Sequence, residues 1–369
     1  MRIAILGAGN GGQAMAAHLT ALGATVALWG RNEHAIHAIT QRNGITVFGA
    51  IIGTYRPAVV SSDIAICLQS ADLAMVVVPA HAHGAVARLI APYLTPEQWV
   101  VLNPGRTGGA LEMYRAIAAE APGLSPLVAE LDTFIYTCRA HQPGRVEVFA
   151  IKEENHLSAI PRQRSAEVLR LVRTFYSQVV AAEDSLTTGL NNMGAMLHPA
   201  PLLFNIGAVE NPKMRYYHYL DGITPTVARF IEDMDQERVS VASAYGARVD
   251  SLLEWLLRTY GVSSAGLHEA ILQNKSYATL FAPQCMNHRY VLEEIPTGLV
   301  PMSELARAAG VRTPCINALI ELGERVMRIP FRRDGRNLVR LGLDDAVGVG
   351  EIRNAFRHGS LSGMGPNGG

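Results

Sequence analysis

The chain has 369 residues, 49% hydrophobic and 17% charged. At roughly 100–200 residues per domain that length predicts about two domains, each able to bury its own core, and it excludes both a disordered chain and a disulfide-stapled miniprotein. Lys+Arg and Asp+Glu number 32 each, so no global field draws the chain to nucleic acid or to an anionic membrane, and neither is expected as a partner.

The longest apolar stretch, Leu73 to Ala80, is far short of the ~20 residues a membrane-spanning helix needs. At the head of the chain one arginine and the short run Ile3-Ala-Ile-Leu6 lead straight into glycines, which predicts no export signal. Cys67, Cys138, Cys285 and Cys315 lack C-x-x-C spacing. Reduced, packed thiols in a cytoplasmic protein are the expectation.

Residues 2–6 read as a strand that ends in Gly7-Ala8-Gly9-Asn10-Gly11-Gly12, and a helical pattern with Met15, Leu19 and Leu22 follows. Thr25 to Trp29 is a second strand, completing one βαβ unit. Further strand-like runs stand at Met75–Val78, Trp99–Leu102, Leu127–Glu130 and Val146–Ile151, separated by helix-length stretches such as Ala82–Leu94 and Gly109–Ala121. This alternation predicts a largely parallel sheet covered by helices.

From about Ser165 the pattern turns helical. Thr224-Pro225 has the cap and first-turn proline of a helix start, and the run to Tyr260 predicts one long helix with a break near Gly246. Leu299–Ala309 and Pro314–Met327 read as two more helices with Gly310 between them. The predicted architecture is an α/β N-terminal Rossmann-type dinucleotide-binding domain (1–182), an all-α C-terminal domain (183–358) and a flexible glycine-rich tail (359–369), with the active site in the cleft between the domains.

Within the glycine turn, Gly7 permits the tight bend, Gly9 lets the backbone approach a pyrophosphate, Asn10 opens the helix whose N-terminus stabilises the anion, and Gly12 lets helix and strand pack closely. An NAD site calls for a carboxylate at the end of the second strand. This chain instead has Leu28-Trp29-Gly30-Arg31-Asn32, and Arg31 favours NADP(H) over NAD(H) because a guanidinium bonds a 2′-phosphate and stacks on adenine. Pro79 and Asn103 follow the ends of two later strands and are candidates for the floor of the nicotinamide site, with packing turns as the alternative.

The segment Asn191-Asn192-Met-Gly-Ala-Met-Leu-His198-Pro199 lies just past the domain change. A polar cluster follows at Asn287-His288-Arg289-Tyr290-Val-Leu-Glu293-Glu294-Ile-Pro296-Thr-Gly298-Leu-Val-Pro301. With the glycine turn and the Gly310-Val-Arg-Thr-Pro314 turn, these segments make the chain resemble the octopine/nopaline (opine) dehydrogenase family over nearly its whole length.

The resemblance implies reductive condensation of an amino acid with a 2-oxo acid, using NADH or NADPH, to an N-(carboxyalkyl) amino acid. It implies a catalytic histidine paired with an acid, here His198 and Glu294, and an arginine for the substrate carboxylate, here Arg289. The family usually has Asp where this chain has Glu294, and the longer side chain moves its carboxylate by ~1 Å, enough to matter to catalysis.

An imidazole suits this chemistry, because the amine must lose protons to attack and the carbinolamine must gain one to lose water. Glu294 would fix the tautomer and stabilise imidazolium, and Arg289 would hold the 2-oxo acid in a two-pronged contact. Glu130 ends a predicted strand and is a candidate for the substrate amine, with capping of a following turn as the alternative. No metal is expected, although His81-Ala-His83 has the look of a ligand pair. The Tyr216-Tyr217-His218-Tyr219 run reads as packing in the helical domain, with lining of the substrate mouth as the alternative.

Small-molecule substrates are the expected partners, with a homodimer left open as the assembly. Two rival readings remain. One is a 2-oxo acid reductase of the ketopantoate reductase or glycerol-3-phosphate dehydrogenase type, which needs a lysine acid such as Lys213 or Lys275. The other is a non-catalytic NADP-binding sensor.

Overall fold

The apolar run at the head of the chain forms β1 (Arg2–Leu6), buried from Ile3 on, and the glycine turn passes it to the helix Asn10–Ala21. The computed structural model describes residues 1–343 and 347–361, so the expected tail lies outside the described residues from 362 on. The chain divides into two units. The first comprises Met1–Gly105, Gly109–Thr188 and the segment from Asn354; the second comprises Arg106–Gly108 and Gly189–Arg353.

In the first unit the strands that follow are β2 (Thr25–Trp29), β3 (Ile45–Gly49), β4 (Gly53–Tyr55), β5 (Val59–Ser61), β6 (Leu73–Val76), β7 (Trp99–Leu102), β8 (Leu127–Leu131), β9 (Tyr136–Gln142), β10 (Arg145–Ile151), β11 (Asn155–Ile160) and β12 (Val179–Ala181). Eight of them form one sheet in the order β12-β11-β8-β7-β6-β1-β2-β5. All its pairs are parallel except β11 with β8.

The central strands β6, β7 and β8 are buried along their whole length, the continuous apolar signature of a parallel strand covered on both faces. In register, Leu6 pairs with Trp29 and with Val76, and Val76 with Leu102. The turns after β1, β2, β6 and β7 therefore leave the same edge of the sheet, the carboxyl edge where open α/β sheets bind ligands.

The run Val146–Ile151, expected to continue that sheet, belongs instead to a second sheet of order β4-β3-β10-β9. The reason is its pairing, between β9 and the distant β3. β9 and β10 form an antiparallel hairpin through Gly144 (φ +79°), and in β10 the residues Val146 and Val148 point inward between more exposed neighbours, the pattern of a strand buried on one face. This hairpin is tied to the helix Asn10–Ala21. Gln13 Oε1 accepts from Gly144 N (2.7 Å), Gln13 Nε2 donates to Ala8 O (2.9 Å), and Asn10 Oδ1 accepts from Ala140 N (3.2 Å).

The second unit is helical. Its helix Pro225–Ala244 starts as the sequence predicts, with Thr224 Oγ1 accepting from Val227 N (3.4 Å) and proline in the first turn. The chain breaks through Gly246 (φ +64°) and resumes as Leu252–Tyr260 behind a Ser251/Glu254 capping box. Helices Val300–Ala308 and Pro314–Met327 stand where expected, the first preceded by a π-helical turn, Ile295–Leu299.

The short segment Arg106–Gly108 is held in this unit by backbone groups. Thr107 N donates to Thr297 O (3.2 Å), Thr107 Oγ1 to Gly189 O (2.7 Å), and Arg336 Nη1 to Thr107 O (2.9 Å). Among the described residues no helix is long and apolar enough to cross a membrane.

Candidate active site

In the first unit the glycine turn has the shape that a dinucleotide requires. A Cβ on Gly12 would stand 1.6 Å from Gly7 O, so only glycine allows the helix to start this close to the turn. Around Gly9 there is open space where a Cβ would point, and the helix behind it begins with backbone donors directed outward. Asn10 contributes its position in that first turn, while its side-chain oxygen is engaged by Ala140.

Pro79, exposed, opens a single 3₁₀ turn just after β6. Asn103, just after β7, is buried. Its Nδ2 donates to Val101 O (2.9 Å), and its Oδ1 has no partner among the described residues. Arg31 is exposed just beyond β2, and the neighbouring Asn32 caps the next helix by accepting from Ala35 N (3.2 Å).

Glu130 serves the preceding helix, whereas the capping alternative placed it on a following turn. It is 1% exposed, and its carboxylate accepts from Ala110 N (2.8 Å) in the first turns of the helix Gly109–Glu120 and from Thr188 Oγ1 (2.6 Å). Nothing in this geometry presents it to a substrate amine.

The second unit brings together the residues expected to carry the chemistry. His198 stands between two short helices, Met193–Leu197 and Pro199–Phe204, where Pro199 forces a new helix start. Glu294 lies just after the turn Arg289–Leu292 and is 0% exposed. His198 Nδ1 and Glu294 Oε1 are 2.8 Å apart. An ionised carboxylate only accepts, so Nδ1 carries the proton and Nε2 keeps its lone pair.

Burial lowers the pKa of His198, opposed by the hydrogen bond and charge of Glu294 and aided by the charges of Arg106 and Arg289. Burial alone would raise the pKa of Glu294. The Arg106 charge and the His198 hydrogen bond outweigh it and hold the carboxyl well below the usual range. The resting pair at neutral pH is a neutral imidazole beside an ionised carboxylate. Arg289 is 56% exposed, with Nε 3.2 Å from Glu293 Oε2, so its guanidinium combines an anchored base with a solvent-facing fork.

Three neighbours were not assigned to the chemistry from sequence. Arg106 lies 2.9 Å from Glu294 Oε1 through Nη2. Tyr290 stacks on His198 with centroids 4.1 Å apart and planes within 9°. His218, read as packing within a tyrosine run, has its ring 6.4 Å from that of His198 and its Nε2 3.3 Å from Leu197 O. Tyr290 carried a signal in its place inside the polar cluster, and His218 in its aromatic run, whereas Arg106 carried none. Lys213 and Lys275, the acids a ketopantoate-reductase-like reading needs, are both exposed. No group of three or more potential metal ligands gathers among the described residues.

Comparison with known proteins adds the following. Residues 181–327 match the family described as NAD/NADP octopine/nopaline dehydrogenase, alpha-helical domain, and residues 2–122 match the NAD-dependent glycerol-3-phosphate dehydrogenase N-terminus. The chain is 38% identical over 353 residues to an opine dehydrogenase of Arthrobacter sp. (strain 1C), covering 95% of this chain and 98% of that one.

Structures of octopine dehydrogenase with NADH and L-arginine and with NADH and agmatine superpose at TM-scores of 0.81 and 0.82, each at 21% identity and covering 97% of this chain and 98% of the other. NADP+-bound yersinopine dehydrogenase superposes at 0.74, at 17% identity, covering 96% and 98%. The NADP(H) preference expected from Arg31 is therefore corrected, because the better-matching structures hold NADH. The physical reason is that an exposed guanidinium at this position can stack on adenine without any 2′-phosphate, so its presence permits the phosphate and does not demand it.

Proposed function

The chain belongs to the octopine/nopaline (opine) dehydrogenase family and is an NAD(P)-dependent oxidoreductase that joins an amino acid to a 2-oxo acid by reductive condensation, and from that premise we propose how its residues divide the work. The observation that carries the proposal is the 2.8 Å contact between His198 Nδ1 and Glu294 Oε1, with Arg289 one short helix away.

The glycine turn from Gly7 to Gly12, with Pro79 and Asn103 on the same sheet edge, holds the dinucleotide, proposed as NADH. Once bound, the reduced nicotinamide supplies the hydride. Arg289 binds the carboxylate of the 2-oxo acid through its exposed fork, which orients the carbonyl for attack.

His198 Nε2 takes a proton from the incoming ammonium group, so that a neutral amine attacks the carbonyl. The attacking nitrogen passes a second proton to the carbonyl oxygen to give the carbinolamine, His198 Nε2 returns its own proton to that hydroxyl, and water leaves as the C=N bond forms. Glu294 Oε1 accepts the Nδ1 hydrogen throughout and stabilises the imidazolium while it exists, as a triad acid does for its histidine. Tyr290 keeps the imidazole plane fixed between the two transfers.

The test is a matrix of amino acids against pyruvate, 2-oxoglutarate, glyoxylate and oxaloacetate, following nicotinamide absorbance. Oxidation of NADH should require both partners, and His198→Asn should lower turnover about 10²–10⁴-fold, the usual contribution of a positioned acid–base, with NADH binding unchanged. Consumption of NADH by a 2-oxo acid without any amine would refute the assignment in favour of a simple 2-oxo acid reductase.

A further inference from the structure

Arg106 comes from a three-residue excursion of the chain into the helical unit, Arg106–Gly108. Its backbone sits at φ +62°, a left-handed conformation that a non-glycine residue holds only where its surroundings enforce it. The side chain is 8% exposed, and each guanidinium nitrogen faces a different residue. Nη1 donates to Asn192 Oδ1 (3.0 Å), Nη2 lies 2.9 Å from Glu294 Oε1, and Nε lies 3.4 Å from Glu293 Oε1.

Glu294 Oε1 thus accepts from two donors, His198 Nδ1 and Arg106 Nη2, while its Oε2 has no partner among the described residues. A buried carboxylate held through one oxygen by two donors cannot turn without breaking one of them, so the guanidinium sets the direction of the oxygen presented to the imidazole. Gly194 leaves the room for this. A Cβ there would stand 2.6 Å from Arg106 Nη1 and 2.8 Å from Glu294 Oε1.

We propose that Arg106 is a positioning residue for proton transfer, aligning Glu294 Oε1 with His198 Nδ1 and keeping the imidazole in its proton-accepting form. The proposal rests on the reading of His198 and Glu294 as the proton-moving pair. The groups that face His198 are Glu294, Arg106, Arg289, His218, His288 and Tyr290. His218 and His288 are held neutral, burial pushing them down to about 3 and about 4. Burial likewise keeps Tyr290 protonated.

The fixed charges are then two anions, Glu294 and the Glu293 that Arg106 and Arg289 share, and two cations. Of the cations Arg289 is largely exposed and screened, whereas Arg106 is buried against the carboxylate. Removing the Arg106 charge should raise the pH at which the imidazole gives up its proton.

The experiment measures kcat and KM against pH in the direction of opine oxidation, where neutral His198 accepts a proton. The substrate is the N-(carboxyalkyl) amino acid made from the best pair in the matrix above, and the proteins are wild type, Arg106→Met, Arg106→Lys and His198→Asn. For Arg106→Met, kcat should fall about 10–100-fold, KM should change less than about threefold, and the acid limb should move up by about one pH unit. Arg106→Lys keeps the charge without the fork, so it should leave the limb within a few tenths of a unit and recover only part of kcat.

A folded Arg106→Met protein with the wild-type limb overturns the proposal. Should that variant fail to fold, Arg106→Lys decides: full kcat overturns the proposal, and reduced kcat at unchanged KM and limb supports it. If His198→Asn turns over normally, the underlying pair assignment fails. If it is inactive while Arg106→Met keeps the wild-type limb, the Arg106 assignment alone fails.

Discussion

Acid should destabilise this protein through one particular imidazole, that of His218. Its ring is fully buried, its Nε2 reaches Leu197 O at 3.3 Å, and its Nδ1 has no partner among the described residues. Burial, followed by the neighbouring His198, pushes its pKa from 6.5 to about 3. Because the folded pKa is depressed, the unfolded chain takes up the proton first. Stability is fully present above pH ~6.5, is lost as pH falls below that value, and the loss levels off near pH ~3.

At about 1.4 kcal/mol per pH unit, this one side chain removes roughly 2 kcal/mol between pH ~6.5 and pH ~5. The assay is urea unfolding followed by circular dichroism at pH ~7 and pH ~5, for wild type and His218→Gln, whose amide can still donate to Leu197 O but does not titrate. The variant carries a cost that is the same at both pH values. Wild type should lose about 2 kcal/mol more than the variant on acidification. Equal losses in the two proteins would show that His218 is not held neutral by burial, and the reasoning would fail.

Three further outcomes follow from the geometry. Gly12→Ala places a methyl group against Gly7 O and should weaken NADH binding by at least about tenfold, read from nicotinamide fluorescence, because the turn must open to admit it. Glu130→Ala removes the acceptor for Ala110 N and should cost about 1–3 kcal/mol of stability in a denaturant melt while leaving KM for both substrates unchanged. A change in KM would return that carboxylate to the substrate. Tyr290→Leu loses the stack on His198, worth about 0.5–1.5 kcal/mol, and should lower kcat about two- to tenfold, whereas Tyr290→Phe should retain it; equal kcat in all three proteins would remove the stack from the mechanism.

The parts of this protein that were legible in the sequence are those set by local chemistry. The strand, glycine turn and helix at the head of the chain, the Thr224-Pro225 helix start and the break at Gly246 are each specified within a few residues. Val146–Ile151 misled because a half-buried hairpin strand and a central parallel strand look alike in a short window, and only tertiary packing separates them.

At the candidate site, His198 and Glu294 are 96 positions apart, and no spacing rule joins them; the family resemblance did. Arg106 had no such help, since its partners lie 86 and 187 positions away and its own segment reads as one more glycine-rich loop. Glu130 shows the converse. A carboxylate at a strand end has the right address for a ligand, yet the buried donors around it had first claim.

The tie between the helix Asn10–Ala21 and the β9–β10 hairpin reaches beyond local packing. Loop tips are ordinarily the places where a protein tolerates a protease cut, an inserted tag or new termini. Here the tip at Gly144 gives its backbone hydrogen to Gln13, and Ala140 does the same for Asn10 across 130 positions of chain. Cleavage or insertion at this tip would therefore loosen the start of the helix Asn10–Ala21, about 130 positions earlier in the chain, and an engineer seeking a permissive insertion point should look elsewhere.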